Sequence, residues 1–362
     1  MISKVAERII RQNLSVREGE TVIISAGPRS LEFAEELAFH ASMVGAHPTI
    51  HYSSEKLALR VLKNAKLKYL KTVPKLTDYL SRSADVEIII DDSDPFIENK
   101  FPQKRLEIRR KALKPVRDRI DRRIVRKTIK MALVGFPTEA QARALGRDFR
   151  TLSKIFWRTM NVDYEKLHEF NETLARKFSS GTKVRIVGEG TDIEFSIQGR
   201  KPILDSGLWE KEKLGFLNLP AGEVFFAPVE TSAEGTIHFN LPCLWHYGKK
   251  VEGVTFTFRK GRVVDYRIER GKRAFEDVIK NASGDKLRIG EFGIGTNPAA
   301  RFTGGMVIVD EKIRGTVHIA IGSNKGYGGK NDSTIHWDFF RDMRDGEVYL
   351  DGELVMKRGK FL

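Results

Sequence analysis

The sequence predicts an α/β protein in which an N-terminal, doubly wound parallel-sheet domain is followed by a mainly antiparallel β (α+β) domain. The first half alternates short apolar runs, rich in valine and isoleucine, with stretches of helical periodicity. After residue 180 the pattern changes to alternating strands that turn at glycine. A length of 362 residues suits two cores. We therefore expect domains at 1–180 and 181–362.

Apolar runs and capping signals define the expected parallel domain. Between the first two runs, SLEFAEELAFHASMVGA has Ser30 where an N-cap belongs and Gly45 where a helix C-terminus belongs. Repeated strand, helix and strand signals predict right-handed crossovers. The expected strands, buried on both faces, are ETVIISA (20–26), HPTIHY (47–52), DVEIIIDD (85–92) and KMALVGF (130–136). Further helices are expected in stretches of 54–83, 104–128, 138–147 and 150–178.

Hairpin signals dominate the second half. GVTFTFRKGRVVDYRIERG reads as two strands around Lys260-Gly261, and GEVYLDGELVMKRG carries the strong turn pair Asp351-Gly352. TKVRIVGEGTDIEFSIQGR alternates and turns at glycine in the same way. One helix is expected near RAFEDVIKNA. These signals predict antiparallel sheets with a single helix between strands.

The positive charge of the chain is concentrated in one segment. The formal net charge is +15, and residues 100–130 contain 14 Lys/Arg against three acidic residues. Such a segment raises nucleic acid or an anionic surface as a partner. We favour a solvated helical face, because no aromatic residues are interleaved to stack on bases. Nucleic acid is therefore an unlikely partner.

Apolar stretches and cysteine content indicate a cytoplasmic protein. No run reaches the roughly 18 apolar residues that a membrane helix needs. The N-terminal segment MISKVAERIIRQNLSVREGE is charged and lacks the apolar stretch of a signal peptide. Cys243 is the only cysteine, which excludes an internal disulfide and a cysteine zinc knuckle. We expect a cytoplasmic location and no membrane partner.

Two polar motifs are weak candidates for ligand sites. The glycine-rich stretch GSNKGYGGKN (322–331) has the spacing of neither a P-loop nor a dinucleotide fingerprint, and we expect a mobile loop that carries Tyr327 into a site. DDSDP places Asp91, Asp92 and Asp94 just after a buried strand, where a cation is conceivable. Capping of the next segment explains these aspartates more simply.

Two histidines in the second half lie in predicted strands. His336 and Asp338 are two residues apart, so in a strand their side chains share one face and Trp337 points to the other. His318 lies in the apolar strand GTVHIAIG, where a neutral imidazole needs a hydrogen-bond acceptor or a cation. One rigid element therefore offers two metal ligands, and a neighbouring element offers a third.

Two glutamates complete a plausible ligand set. Glu291 stands at the entry to a glycine-rich turn in GEFGIGTN, and Glu223 follows a Pro-Ala-Gly turn just before an apolar strand. Two histidines and three carboxylates suit one or two divalent metals, with one carboxylate bridging. On residue types alone, each of these histidines could equally be a hydrogen-bonded core residue, and each carboxylate could be a solvated surface residue. His238 and His246 are equally strand-like competitors.

Several motifs, taken in order, resemble the thermophilic metallo-aminopeptidases, the family of aminopeptidase T and aminopeptidase S. They are NLPAGEVFFAPVETSAEGT, GEFGIGTNPAA, DEKIRGTVHIAIG and STIHWDFF, preceded by GEGTDIEFSIQGR. In the first half, VREGETVIISAG and HASMVGAHPTIHY are similar to the family's N-terminal domain. The resemblance covers most of the chain and is strongest over 186–340.

The resemblance implies a metal-dependent aminopeptidase that releases N-terminal amino acids from short peptides through a water activated by two metals. It implies two divalent ions, with Zn, Co or Mn fitting the donor set, and a thermophilic homodimer. Glu291 would bridge the ions or lie beside the attacking water, and Tyr327 would be an active-site residue. The implied metal ligands are Glu223, Glu291, His318, His336 and Asp338.

Two alternatives stay open on the sequence. One is a nucleic-acid or anionic-surface binding protein that uses residues 100–130 and has a degenerate metal site. Its binding would weaken steeply with salt. The other is a metallo-amidase on non-peptide substrates, which would not require a free amine.

Overall fold

The chain folds into two compact units. The computed structural model describes residues 2–98, 100–211, 215–245 and 249–362. The first unit comprises residues 1–144, 148–153 and 207–220, and the second comprises residues 145–147, 154–206 and 221–362.

The helices largely follow the expected stretches, with two divisions. The stretch 54–83 contains three helices, and the stretch 150–178 contains two, because Asp163 caps a new helix by accepting from the Lys166 amide. A short π-helical segment, Ile9–Asn13, follows the first helix. The helices are α1 (Ile2–Arg8), α2 (Leu31–Met43), α3 (Glu55–Asn64), α4 (Leu67–Leu70), α5 (Lys75–Ser83), α6 (Pro95–Glu98), α7 (Gln103–Val125), α8 (Glu139–Leu145), α9 (Phe149–Met160), α10 (Tyr164–Ser179), α11 (Lys272–Asn281) and α12 (Val307–Asp310).

Four strands of the first unit are the ones that the apolar runs predict, and a fifth, β8 (Phe216–Leu219), was not predicted. The first-unit strands are β1 (Thr21–Ala26), β2 (His47–Tyr52), β3 (Val86–Asp91), β4 (Lys130–Gly135) and β8 (Phe216–Leu219). The second-unit strands are β5 (Lys183–Gly188), β6 (Thr191–Ser196), β7 (Ile203–Asp205), β9 (Glu223–Phe226), β10 (Glu234–Phe239), β11 (Cys243–Trp245), β12 (Lys249–Arg259), β13 (Arg262–Arg270), β14 (Ile289–Gly295), β15 (Thr316–Gly322), β16 (His336–Asp342), β17 (Glu347–Leu350), β18 (Glu353–Lys357) and β19 (Lys360–Phe361).

The first unit contains a parallel sheet, as predicted. Its strand order is β2-β1-β3-β4-β8, and every neighbouring pair is parallel. The expectation that all four predicted strands are buried on both faces is wrong for β2. That strand pairs only with β1 at the edge of the sheet, and most of its residues are exposed.

Basic residues of α7 bind the helices that pack against it. Arg105 donates to the backbone carbonyls of Leu62 and Ala65, which end α3. Arg119 forms an ion pair with Asp78 of α5 at 2.9 Å. Carbonyls at a helix C-terminus lack partners within the helix, so arginine donors satisfy them. Part of the charge of segment 100–130 is therefore structural.

An arginine occupies the position where the sequence suggested a cation. Arg29 contacts the Glu55 carboxylate at 3.4 Å and the Asp94 carboxylate at 3.3 Å. Its backbone amide donates to the Asp92 carboxylate at 2.9 Å. The guanidinium supplies the positive charge that these acids require, so the aspartates of DDSDP need no metal.

The second unit is mainly antiparallel, which confirms the predicted fold class. One sheet has the order β11-β12-β10-β6-β5-β17-β18-β19, with β13 paired to β12, and the other has the order β16-β15-β14-β9-β7. The predicted hairpin turns are present, because Lys260, Gly261, Asp351 and Gly352 all have positive φ. The predicted helix is α11, but the expectation of a single helix is wrong, because the four-residue helix α12 also lies in this unit.

The compact units differ from a single cut at residue 180 in three places, because residues 145–147 and 154–180 fall in the second unit and residues 207–220 fall in the first. α10 falls in the second unit, where it lies against β7 and β9. β8 falls in the first unit because it extends the parallel sheet beside β4. A domain boundary at 180 stays a prediction. Within the described ranges, no helix combines the length and the apolar character that crossing a membrane requires.

Candidate metal centre

Strand alternation brings the predicted ligands to one face of the smaller antiparallel sheet. In β16, His336 and Asp338 are two residues apart and share a face. Ala320 of β15 lies opposite Asp338 on one side and opposite Glu291 of β14 on the other. Glu223 begins β9 opposite Gly295 of β14. Adjacent strands therefore present the donors as one patch.

Glu291 lies within a buried strand, so its expected place at the entry to a turn is wrong. The glycines that follow it are strand residues with a packing role. A Cβ atom on Gly293 would lie 2.0 Å from Nε2 of His318, which faces it across the strand pair. Glycine at this position leaves the space that the imidazole occupies.

The donor atoms converge on Glu291. Nε2 of His318 lies 3.1 Å from Oε1 of Glu291 and 3.3 Å from Oε2 of Glu223. Nε2 of His336 lies 3.4 Å from Oε2 of Glu291 and 3.4 Å from Oδ1 of Asp338. Each oxygen of Glu291 thus faces a different imidazole, so the carboxylate lies between the two histidines.

Unpaired polar atoms test whether these residues fit a metal. Oε2 of Glu223 and Oδ1 of Asp338 are buried without a hydrogen-bond partner, although each lies within ion-pair distance of an imidazole nitrogen. An unpaired buried carboxylate oxygen is costly unless a cation meets it. Within the described parts of the chain, two groups have donor atoms within 4.8 Å of one another: Glu223, Glu291 and His318; and Glu291, His336 and Asp338. The residues fit divalent cations.

A backbone carbonyl orients His336. Nδ1 of this imidazole lies 2.8 Å from the carbonyl oxygen of Ser323. A proton on Nδ1 donates to that oxygen, so that in the neutral imidazole Nε2, which faces Glu291 and Asp338, has the lone pair that can bind a cation. The Tyr327 hydroxyl also donates to the Ser323 carbonyl, at 3.0 Å, and lies 2.6 Å from Nδ1. Tyr327 therefore reaches the edge of the site, as predicted.

A buried lysine holds the other side of Glu223. Nζ of Lys312 lies 2.6 Å from Oε1 of Glu223, 2.7 Å from Asp205 and 2.8 Å from Glu311, and its side chain is fully buried. Oε1 of Glu223 is thereby fixed, and Oε2 remains directed at His318. Neither Lys312 nor Asp205 was singled out from the sequence, although Lys312 lies in the motif DEKIRG. Lysine is rarely buried, so its residue type gave no signal.

The acidic surroundings keep the imidazoles protonated when no metal is present. Burial alone would lower the pKa of His318, but Glu291 and Glu223 raise it to about 9. Burial likewise opposes protonation of His336, and Asp338 and Glu291 raise its pKa to about 10. Burial and the charges of Glu291 and Asp338 raise the pKa of the Tyr327 hydroxyl, which stays a donor. The negative charges of the neighbouring carboxylates therefore stabilise positive charge at this site.

Of the two competing histidines, His238 does not join the patch. Nδ1 of His238 is hydrogen-bonded to the Thr255 hydroxyl at 3.0 Å, and His238 lies on the larger antiparallel sheet. His246 lies outside the described residues. Among the residues that the structure describes, the patch brings together the five candidate ligands named from the sequence.

Comparison with known proteins extends over nearly the whole chain. The thermophilic metalloprotease (M29) family matches residues 1–361. Aminopeptidase T of Thermus thermophilus is 26% identical over 416 aligned positions, which span 100% of this chain and 98% of that protein. Aminopeptidase AmpS of Bacillus subtilis is 21% identical, with 98% of this chain and 97% of that protein aligned.

Two solved structures share the fold. Wild-type AmpT from Thermus thermophilus superposes with a TM-score of 0.81 at 23% identity, over 100% of this chain and 98% of that chain. A 2,5-dihydroxypyridine dioxygenase from Pseudomonas putida KT2440 superposes with a TM-score of 0.63 at 14% identity, over 100% of this chain and 96% of that chain. The likeness of the second shows that one fold serves proteins named for different reactions.

Replacing Lys312 tests the buried ion cluster. We expect Lys312→Met to lower the free energy of unfolding by about 3–5 kcal/mol, because it leaves buried carboxylates without their cation. The matched control is Lys280→Met on the exposed side of α11, with an expected change within about 0.5 kcal/mol. Urea unfolding followed by circular dichroism measures both. Equal unfolding midpoints for the two variants would contradict the cluster's structural role.

Proton release tests the electrostatics of the site. Because His318 and His336 have pKa values of about 9 and about 10, both are protonated at pH 7 in the metal-free protein. Metal ligands must be deprotonated, so binding releases protons and the apparent affinity rises as pH increases from 7 toward 10. Titration calorimetry in buffers of different ionisation enthalpy measures this release. A binding enthalpy independent of the buffer would contradict the prediction.

Proposed function

The chain belongs to the thermophilic metalloprotease (M29) family, and on that premise we propose that it is a metal-dependent aminopeptidase that releases N-terminal residues from short peptides. The observation that carries the proposal is the position of Glu291 between two imidazoles. The relatives named aminopeptidase, aligned over nearly all of this chain, support the same activity.

Five side chains would hold two divalent ions. Glu223 and His318 would serve one ion, His336 and Asp338 the other, and Glu291 both. When bound, such ions lower the pKa of a water molecule, polarise the scissile carbonyl and hold the free α-amine of the substrate.

The chain's own groups supply orientation and proton handling. The carboxylate of Glu291 lies centrally among the donors, where it would either bridge the two ions or, with one oxygen free, accept a proton from an attacking water. The protonated Tyr327 hydroxyl can donate a hydrogen bond to an oxyanion. The Ser323 carbonyl keeps His336 in one tautomer, and Lys312 keeps Glu223 in one orientation. We assign Glu291 and Tyr327 as the catalytic residues.

The chemistry of the ligands and the membership of the family support proposals for the metal, the cellular location, the oligomeric state and the partners. Imidazole and carboxylate ligands without thiolate suit Zn, Co or Mn. We propose a cytoplasmic homodimer that acts on peptides and not on nucleic acid or membranes. The family's description supports thermophilic stability.

Metal content of single variants tests the bridging role. We expect Glu223→Gln and Asp338→Asn each to lower the content from about two ions per chain to about one, because each removes a ligand of one group. Glu291→Gln should lower it further, since this residue belongs to both groups. Elemental analysis after dialysis measures the content, and His238→Ala is the control. If Glu291→Gln retains as much metal as Asp338→Asn, Glu291 does not bridge.

Substrate blocking tests the reaction class. We expect the metal-loaded protein to hydrolyse a short peptide with a free N-terminus and to leave its N-acetylated form intact, because the site must hold the amine. A chelator should abolish the hydrolysis. Chromatographic product analysis measures cleavage of both peptides. Comparable cleavage of the acetylated form would favour a metallo-amidase, and hydrolysis insensitive to chelator would exclude the metal account.

A further inference from the structure

Residues 322–331, here called the tyrosine loop, connect β15 to β16 and carry Tyr327 on a 3₁₀ turn, Lys325–Tyr327. The Tyr327 ring packs edge-on against the Phe225 ring, with 5.5 Å between ring centroids. Its hydroxyl reaches Ser323 and His336, as described above. The position of this hydroxyl therefore depends on the path of the loop.

The loop has little apolar anchorage of its own. Lys325, Gly326 and Gly328 are exposed, and Gly328 has a positive φ. A Cβ atom on Gly329 would lie 2.0 Å from the Asn324 side chain, so glycine permits the loop to fold closely on Asn324. Glycine loses much conformational freedom on ordering, so such a loop needs partners outside itself.

Glu230 binds both sides of the tyrosine loop. Its Oε1 accepts from the backbone amide of Lys330 at 2.6 Å and from Nδ2 of Asn324 at 3.2 Å. These two residues flank the turn that carries Tyr327. Burial opposes ionisation of Glu230, but hydrogen bonds from Lys330 and Asn324 and the charge of Arg200 hold its pKa below the usual range. One carboxylate thus closes the loop.

Arg200 connects this carboxylate to the tip of the loop. It lies 2.5 Å from Oε2 of Glu230 and donates to the carbonyl of Gly328 at 2.6 Å. Both charged side chains are 13% exposed. The backbone of Glu230 is fixed in turn, because its carbonyl accepts from Arg288 at 2.9 Å. The Arg200–Glu230 ion pair is therefore attached to a backbone segment that is itself hydrogen-bonded in place.

We propose that Arg200 and Glu230 are positioning residues that hold Tyr327 in its catalytic place through the tyrosine loop. The inference rests on the proposed function of Tyr327 and adds two residues that touch neither the candidate ligands nor a substrate. A displacement of about 1 Å in a catalytic group can cost about 100-fold in rate. We call the Arg200–Glu230 ion pair the clamp. Its loss therefore lowers the rate of the chemical step and leaves metal binding unchanged.

The experiment compares Arg200→Met and Glu230→Gln with the wild-type chain. Glu230→Gln keeps an oxygen acceptor for the Lys330 amide and loses only the ion pair. This milder variant therefore still tests the proposal if Arg200→Met does not fold. We expect kcat to fall by about 10–100-fold with KM and metal content unchanged. Hydrogen exchange of the loop amides, measured by mass spectrometry on the metal-free chain, should accelerate in both variants.

A double-mutant cycle separates positioning from general damage. In a Tyr327→Phe background the hydroxyl is already absent, so adding Arg200→Met should lower kcat no further. The matched control is Arg185→Met, which removes the partner of Asp192 on the neighbouring hairpin without touching the loop. The control should leave kcat and loop exchange at wild-type values.

Two results would overturn the inference and leave the proposed role of Tyr327 standing. One is an additive loss of kcat when Arg200→Met is combined with Tyr327→Phe, and the other is unchanged loop exchange in both clamp variants. Failure of the proposed function looks different: the wild-type protein would then lack chelator-sensitive hydrolysis of peptides altogether. If Tyr327→Phe alone retains full kcat, both the role of Tyr327 and the clamp are wrong, while the metal site stands.

Discussion

The buried carboxylate of Glu291 is the constraint on which the site depends. It lies between the imidazoles of His318 and His336, inside a sheet with no solvent to compensate its charge. A buried anion of this kind requires a cation, whether a proton on each histidine or a metal. The raised pKa values of both histidines express the same demand. The neighbouring strands place polar ligand side chains around this carboxylate in place of large apolar side chains.

The surrounding framework positions three of the five candidate donors. Gly293 leaves the space for the His318 imidazole, and the Ser323 carbonyl sets the tautomer of His336. Lys312 occupies one oxygen of Glu223, so the other stays directed inward. Arg200 and Glu230 extend this pattern to Tyr327. A site held by outer hydrogen bonds keeps its geometry before a ligand arrives, which is the usual requirement for precise chemistry.

Much of the fold follows from local patterns, whereas the choice of the five candidate ligands also rested on the family resemblance. Alternation places His336 and Asp338 on one face, and the turn pairs at Lys260-Gly261 and Asp351-Gly352 fix two hairpins. The features that the sequence did not predict depend mainly on contacts between residues distant in the chain. The strand position of Glu291 was hidden because its glycines resemble a turn. Lys312, Arg200 and Glu230 acquire their roles only through partners distant in sequence. The edge position of β2 depends likewise on pairing order.

Since the same fold occurs in a protein named as a dioxygenase, the arrangement of donors must decide the chemistry. The most direct test is anomalous diffraction from crystals of the cobalt-loaded protein, recorded at the cobalt absorption edge. We predict two peaks, one on each side of the Glu291 carboxylate. The first would lie beside Glu223 and His318, and the second beside His336 and Asp338. A single peak, or peaks away from Glu291, would contradict the account.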